Sequence, residues 1–198
     1  MVNPKLIIVV GSDPCVSATD GPSWVQYLTD HLQPEKVINL SECNLSNDII
    51  GRRVIFSVME SIKQYDRSDI LVCVMWNRMD SLESYKGELE KQILSNIDHY
   101  LKTDWFLKMM GVRFFLSNSS IYCRPHGYFL EKHPEIEKYI GLVDWEHWLD
   151  SNSIQMWTSL RGHKIDEKTK NTTTKGHKEF TEKVIISWLE FRGYIKST

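Results

Sequence analysis

Three side chains that could together perform nucleophilic acyl transfer lie far apart in the sequence, at Ser12, Asn77 and His177. A serine hydroxyl attacks a carbonyl carbon when a base takes its proton, and an amide donor stabilises the oxyanion that forms. Ser12 and Asn77 each come soon after an apolar run, and His177 follows a glycine late in the chain. These positions predict a site built where strands end rather than from one local motif.

The elements that must position these residues can be predicted from the apolar pattern. The unbroken run from Leu6 to Val10 is typical of a strand covered on both faces, as in a parallel sheet. Similar runs, and apolar residues at helical spacing, predict strands at 36–40, 69–76 and 112–116 and helices at 23–32, 47–65, 84–110 and 176–191. We expect Ser23 to be the N-cap of the first helix. The alternation predicts one domain over 1–198, a flavodoxin-like three-layer α/β/α sandwich with a mostly parallel sheet.

The loops after the first three strands should meet at one edge of that sheet. In open α/β sheets, ligands bind in the crevice beyond the carboxyl ends of the strands. The candidates to line a substrate crevice there are Gly11, Asn44, Ser46, Asn47 and Trp76.

Other roles are open for the polar residues of the first loop. Ser12 could be a turn residue whose hydroxyl bonds to nearby backbone. Asp13 could be a phosphoryl-transfer nucleophile or a metal ligand, but Cys15 stands where haloacid-dehalogenase-like phosphatases have a second aspartate. The alternative for Asp13 is a residue that stabilises the turn before Pro14.

The polar segment 164–178 also allows two interpretations. Asp166 could orient His177 as a base, or form a solvated pair with Glu167. The neighbouring lysines could bind phosphate or could simply be solvated; they are Lys164, Lys168, Lys170, Lys175 and Lys178. Five further histidines show no metal-ligand spacing, which predicts no metal site; they are His99, His126, His133, His147 and His163.

Composition narrows the functional classes. The formal net charge is -2, which gives no electrostatic reason to expect nucleic-acid or membrane binding. The four cysteines are widely spaced and form no C-x-x-C motif, which favours a reducing, cytoplasmic setting without disulfides. The apolar run near the N-terminus is too short for a signal peptide or a membrane span. No cofactor is predicted, and protein partners stay undefined.

Four blocks of the sequence resemble the SGNH (GDSL-like) hydrolase superfamily, in particular small members often found in phages. They are Ile8–Asp13, Asn39–Ile50, Asp69–Asn77 and Lys175–Phe180. The resemblance implies an SGNH-type fold and cleavage of an ester or acetyl group. It also implies that Asn77 is the oxyanion asparagine and that Asn44 stands where the family often has a glycine whose N–H binds the oxyanion.

Two positions depart from the family pattern. Asp13 occupies the place of the nucleophilic serine, and Asn171 the place of the catalytic histidine, so that His177 matches a second, non-catalytic histidine. The resemblance thus implies a degenerate catalytic motif. One hypothesis is an esterase or deacetylase in which Ser12 attacks and His177 is the base. The other is a non-catalytic binding or structural module, viral or phage, that holds a glycan or protein through the crevice and the Trp-rich second half.

Overall fold

A parallel sheet forms the centre of the computed structural model, which describes residues 3–12, 21–77, 89–118, 134–149, 153–166 and 172–196. The strand order is β2-β1-β3-β4, and every pairing among these strands is parallel. The strands are β1 Leu6–Gly11, β2 Lys36–Asn39, β3 Ile70–Trp76 and β4 Arg113–Asn118. Because β1 and β3 lie inside the sheet, their carboxyl ends meet at its centre.

Helices cover both faces of this sheet. They are α1 Trp24–Leu32, α2 Asn47–Ser61, α3 Leu89–Met110, α4 Pro134–Ile140, α5 Ile154–Ser159, α6 Thr174–Phe180 and α7 Ser187–Phe191. A π-helical stretch, Thr181–Ile186, joins α6 to α7, and 3₁₀ turns occur at Arg67–Asp69 and Trp145–His147. None of the helices in the described ranges is long and apolar enough to cross a bilayer.

Alternating strand residues divide the core into two layers. The first layer, which we name the α2/α3 face, contains Ile8, Val10, Val74, Trp76 and Phe114 packed with side chains of α2 and α3. The second, the α1/α6 face, contains Ile7, Val9, Cys73, Met75 and Phe115 packed with α1, α6 and α7. The face on which a residue lies therefore decides which helices it can contact.

Two glycines permit the close helix packing that builds these layers. A Cβ on Gly176 in α6 would lie 2.5 Å from Thr172 Oγ1 and 3.2 Å from Thr158 Cγ2. A Cβ on Gly51 in α2 would lie 3.2 Å from Thr103 Oγ1 of α3. A side chain at either position would require the neighbouring threonine side chains to shift.

The fold class predicted from the sequence is confirmed. The differences concern element ends: α2 ends at Ser61 rather than at residue 65, and the last helix begins at Thr174 and contains the π-helical stretch. After Ser61 the chain continues as a turn, in which Tyr65 N–H still donates to Ser61 O. Cys73 is buried and Cys43 is exposed, and the other two cysteines lie outside the described residues.

Candidate active site

Ser12 lies directly beyond β1 and is fully buried. Its backbone N–H donates to Met75 O at 3.3 Å, which continues the β1–β3 ladder by one residue. Its Oγ has no hydrogen-bond partner among the described residues. A buried hydroxyl without a partner is costly, because its hydration is lost and not replaced. A reacting group or ligand that bonded to Oγ would remove that cost.

The sheet register determines the neighbours of this hydroxyl. Gly11 pairs with Met75, and Trp76 pairs with Asn118. Since strand side chains alternate between faces, Ser12 shares the α2/α3 face with Val10 and lies beside Trp76. Trp76 is fully buried, and its indole Nε1 likewise lacks a hydrogen-bond partner among the described residues. Ser12 and Trp76 thus both lie at the carboxyl edge of the two central strands.

His177 lies in α6 and is also fully buried. Its Nδ1 accepts a hydrogen bond from Trp24 N–H at 3.0 Å. The Thr181 hydroxyl, one turn later, contacts Trp24 O at 3.3 Å and His177 O at 2.8 Å. Together, His177 and Thr181 bind both backbone polar groups of the first residue of α1.

This arrangement replaces the helix cap that the sequence predicted. Ser23 does occupy the N-cap position of α1, but its side chain makes no capping hydrogen bond. The imidazole of His177 accepts from the first N–H of the helix instead. No sequence signal could have revealed this bond, because its partners are 153 residues apart.

The tautomer and position of His177 differ from those of a serine-activating base. A neutral ring that accepts at Nδ1 carries its proton on Nε2, whereas a base acting through Nε2 needs that nitrogen unprotonated. His177 contacts α1, on the α1/α6 face, while Ser12 shares the opposite face. No hydrogen bond joins Ser12 Oγ to His177. The described structure thus shows no hydrogen bond between these two predicted catalytic residues, and their pairing stays a prediction.

Asn77 is fixed at the end of β3 by the loop that follows β2. Its backbone N–H donates to Asn47 Oδ1 at 2.8 Å, and its Nδ2 donates to Leu45 O at 2.7 Å. Asn47 Nδ2 in turn donates to Asn96 Oδ1 at 2.8 Å. Sequence reasoning identified Asn47 and Asn77 but missed Asn96, which lies in the middle of α3 with no motif around it. These bonds hold the amide of Asn77 at the crevice.

The loop after β2 supplies the remaining predicted crevice residues. Asn44 has φ 60°, in the left-handed region that favours glycine, which is the residue the family often has there. Ser46 Oγ accepts from Ile49 N–H at 3.4 Å, so it is the N-cap of α2. Arg53 donates to Leu40 O at 2.7 Å and fastens this loop to α2.

The other predicted catalytic residues are not placed in this crevice. Asp13 and Asn171 lie outside the described residues. Asp166 is exposed, next to the short bridge between Ile165 and Thr172, whereas His177 is buried. Both of these candidate roles stay predictions. In the lysine-rich segment, Lys175 and Lys178 are exposed and lie 4.0 Å and 3.9 Å from Glu179 and Glu182.

Several solved structures have a similar fold, among them an esterase and a GDSL-like lipase. TesA has a TM-score of 0.63 and 14% identity over 93% of this chain and 98% of its own. The psychrotrophic esterase EstA from Pseudoalteromonas sp. has a TM-score of 0.57 and 14% identity over 94% of this chain and 99% of its own. A GDSL-like lipase from Bacteroides thetaiotaomicron has a TM-score of 0.53 and 12% identity over 97% of this chain and 93% of its own.

A Bacillus subtilis protein is also similar, with a TM-score of 0.56 and 14% identity, and the chain spans 58% of its length. No family model and no curated protein match the sequence. At these identities the likeness defines the fold: the chain has the parallel α/β architecture of GDSL/SGNH-like hydrolases.

Proposed function

We propose that this chain is an ester hydrolase of the SGNH type that binds a small ester or acetylated glycan beyond the carboxyl ends of β1 and β3. The observation that supports it best is the fold likeness to an esterase and a lipase over at least 94% of the chain. Ser12 and Asn77 follow the central strands at the edge where α/β sheets bind ligands.

In this mechanism the Ser12 hydroxyl attacks the ester carbonyl carbon. The Oγ–C bond forms, the serine proton passes to a base, and the oxyanion is stabilised by the Asn77 amide and the Asn44 backbone N–H. The base then protonates the departing alcohol, and water hydrolyses the acyl-serine. For His177 to be that base, its Nδ1 would have to release Trp24 N–H, and the imidazole would have to reach the face of Ser12.

A fluorophosphonate probe tests the nucleophile directly. We expect a covalent adduct on Ser12, located by mass spectrometry of the digested protein, and no adduct in Ser12→Ala. Ser46→Ala is the matched control, because Ser46 is an exposed serine of the same edge whose hydroxyl only caps α2. An adduct on another residue, or none on folded protein, would rule out Ser12 as the nucleophile.

Ester turnover tests the oxyanion role of Asn77. Removing one oxyanion donor typically lowers kcat about 10²–10³-fold, and we expect a loss of that order for Asn77→Ala on a chromogenic short-chain ester. Asn96→Ala is a useful comparison, since Asn96 contacts Asn47 and not Asn77 itself. Equal losses in both variants would assign the effect to the packing of the network.

The bond between His177 and Trp24 favours a second candidate, a non-catalytic binding module. With Nδ1 engaged by a backbone N–H, the ring supports α1 rather than activating a hydroxyl. This candidate predicts no phosphonate adduct and no ester turnover, but saturable binding of a glycan or ester that quenches tryptophan fluorescence. Loss of that binding in Asn77→Ala would place the ligand in the crevice.

A further inference from the structure

The outer face of α2 exposes large apolar side chains to solvent. Phe56 is 70% exposed, and Ile49 and Met59 are also exposed. Because successive residues of a helix are about 100° apart, Ile49 and Met59 lie within about 60° of Phe56 around the helix axis. We name this surface, formed by Ile49, Arg52, Phe56, Met59 and Glu60, the α2 outer face.

The exposed positions of α1 show that such a surface is not general for the helices of this fold. In α1 they are Gln26, Asp30 and His31, which are all polar. A surface helix ordinarily presents polar residues opposite its buried side. α2 has a buried side as well, since Ile50 and Val54 are fully buried. Its outer face is therefore apolar in addition to the side that packs against the sheet.

Charged side chains surround the apolar residues in a symmetric order. Arg52 precedes Phe56 by four residues and Glu60 follows it by four, so each lies about 6 Å from Phe56 along the helix axis. Arg52 Nη2 is 2.9 Å from Asp48 Oδ2. In the turn after α2, Lys63 Nζ is 2.6 Å from Glu60 Oε1. From its start to its end, the face thus carries a negative and a positive charge, an apolar centre, and again a negative and a positive charge.

This order of charges is complementary to itself when one copy is reversed. If a second chain runs antiparallel with Phe56 opposite Phe56, Arg52 of each chain comes opposite Glu60 of the other. In the same alignment, Asp48 comes within one residue of Lys63. A parallel alignment would instead place like charges opposite each other, which is unfavourable. A two-fold axis brings the same patch of two subunits together, and an axis perpendicular to α2 at Phe56 gives the antiparallel alignment.

We propose that α2 forms the interface of a symmetric homodimer, in which the α2 outer faces of two copies pack antiparallel with Phe56 at the two-fold axis. Aromatic residues and methionine are enriched at the centre of such interfaces, and charged residues belong to their rim. A contact through one helix face lies at the low end of interface sizes, below about 1,200 Å² in total, so the dimer should be reversible. The proposal does not depend on ester hydrolysis, because the α2 outer face shares no residue with the candidate active site.

Sedimentation velocity of the full chain tests the dimer. We expect the wild type to change from monomer to dimer as its concentration rises from about 1 μM to about 100 μM. Phe56→Glu should associate at least about 30-fold more weakly, because it places two carboxylates at the axis. Phe191→Glu is the matched control. Phe191 is 86% exposed and lies on α7, which packs on the opposite face of the sheet.

Two charge reversals test the antiparallel alignment. Arg52→Glu and Glu60→Arg each place like charges opposite each other in a homodimer, so each variant alone should associate at least about 10-fold more weakly than the wild type. An equimolar mixture of the two variants should dimerise with nearly wild-type affinity, since each contact of the mixed dimer again joins a carboxylate to a guanidinium. Recovery in the mixture would also show that neither variant has lost its fold.

Three results would overturn the proposal. The first is a wild type that stays monomeric over the whole concentration range, which would leave the α2 outer face to a different protein. The second is association of Phe56→Glu as tight as that of Phe191→Glu. The third is a mixture of Arg52→Glu and Glu60→Arg that associates no better than either variant alone.

Discussion

The two faces of the sheet differ in how a buried hydroxyl group is bonded, as Thr181 and Ser12 show. On the α1/α6 face, both backbone groups of Trp24 are bound by buried side chains, Nδ1 of His177 and the Thr181 hydroxyl. On the α2/α3 face, Ser12 Oγ, Trp76 Nε1 and Asp104 Oδ1 are buried with no hydrogen-bond partner among the described residues, and on the α1/α6 face the same holds for Trp24 Nε1.

This difference separates structural polar groups from candidates for ligand contact. A buried polar group that is fully bonded stabilises one arrangement of the chain, whereas one without a partner costs free energy that binding can recover. By this criterion, the bond that His177 Nδ1 accepts from Trp24 N–H supports the fold, whereas Ser12 Oγ is available to a ligand. Substitutions that remove a polar group from each face can test this difference.

The largest effect is expected for His177. His177→Ala removes a fully buried ring and leaves Trp24 N–H without its acceptor, so we expect about 3–5 kcal/mol lower free energy of unfolding. His177→Asn retains an oxygen acceptor near the position of Nδ1 and should recover part of this loss. Urea denaturation measures both variants. A small effect of His177→Ala would show that the bond to Trp24 does not secure α1.

A pair of hydroxyl deletions compares the two faces directly. Thr181→Val removes a bonded hydroxyl at constant shape and should cost about 1–2 kcal/mol. Ser12→Ala removes an unbonded hydroxyl, so its effect on the free energy of unfolding should be within about 0.5 kcal/mol of zero, or stabilising. Thermal unfolding in the absence of ligand measures the effect of both substitutions on stability. Equal destabilisation by both substitutions would mean that the Ser12 hydroxyl is also structurally bonded.

A smaller effect, which depends on pH, is expected for the free energy of unfolding at His147, whose ring stacks on Phe114. Because burial lowers the pKa of His147 from its ordinary value of 6.5, the unfolded chain binds the proton more readily. The free energy of unfolding should therefore fall as the pH drops below 6.5, until the folded-state pKa is passed. We expect His147→Gln to reduce this dependence of the free energy of unfolding on pH when urea denaturation is measured at several pH values. An unchanged slope would assign the dependence to other histidines.

The elements of the fold could be predicted because their signals are local. An unbroken apolar run defines β1, and helical spacing defines α1 and α2, with only their ends shifted. Asn77 was also predictable, since it directly follows a buried strand and such positions lie at the ligand edge of a parallel sheet.

The partners of the site residues could not be predicted, because they depend on packing between distant segments. The bond from Trp24 N–H to His177 Nδ1 and the approach of Asp104 to His147 leave no trace in residue spacing. The face on which Ser12 lies depends on the register of the chain at the end of β1. A shift of that register by one residue would move the Ser12 side chain to the face that carries His177. Residue types alone thus suggested a nucleophile–base pair for which the described structure shows no hydrogen bond.

The π-helical stretch between α6 and α7 affects how this chain should be aligned with other proteins. Buried residues are five apart from Phe180 to Ile185 and then four apart to Leu189. A related chain with one residue fewer there could continue as an ordinary α-helix and keep both buried positions. An alignment gap between His177 and Leu189 would therefore be physically reasonable inside a helix. A method that permits gaps only in loops would displace the Gly176–His177 pair from its true counterpart.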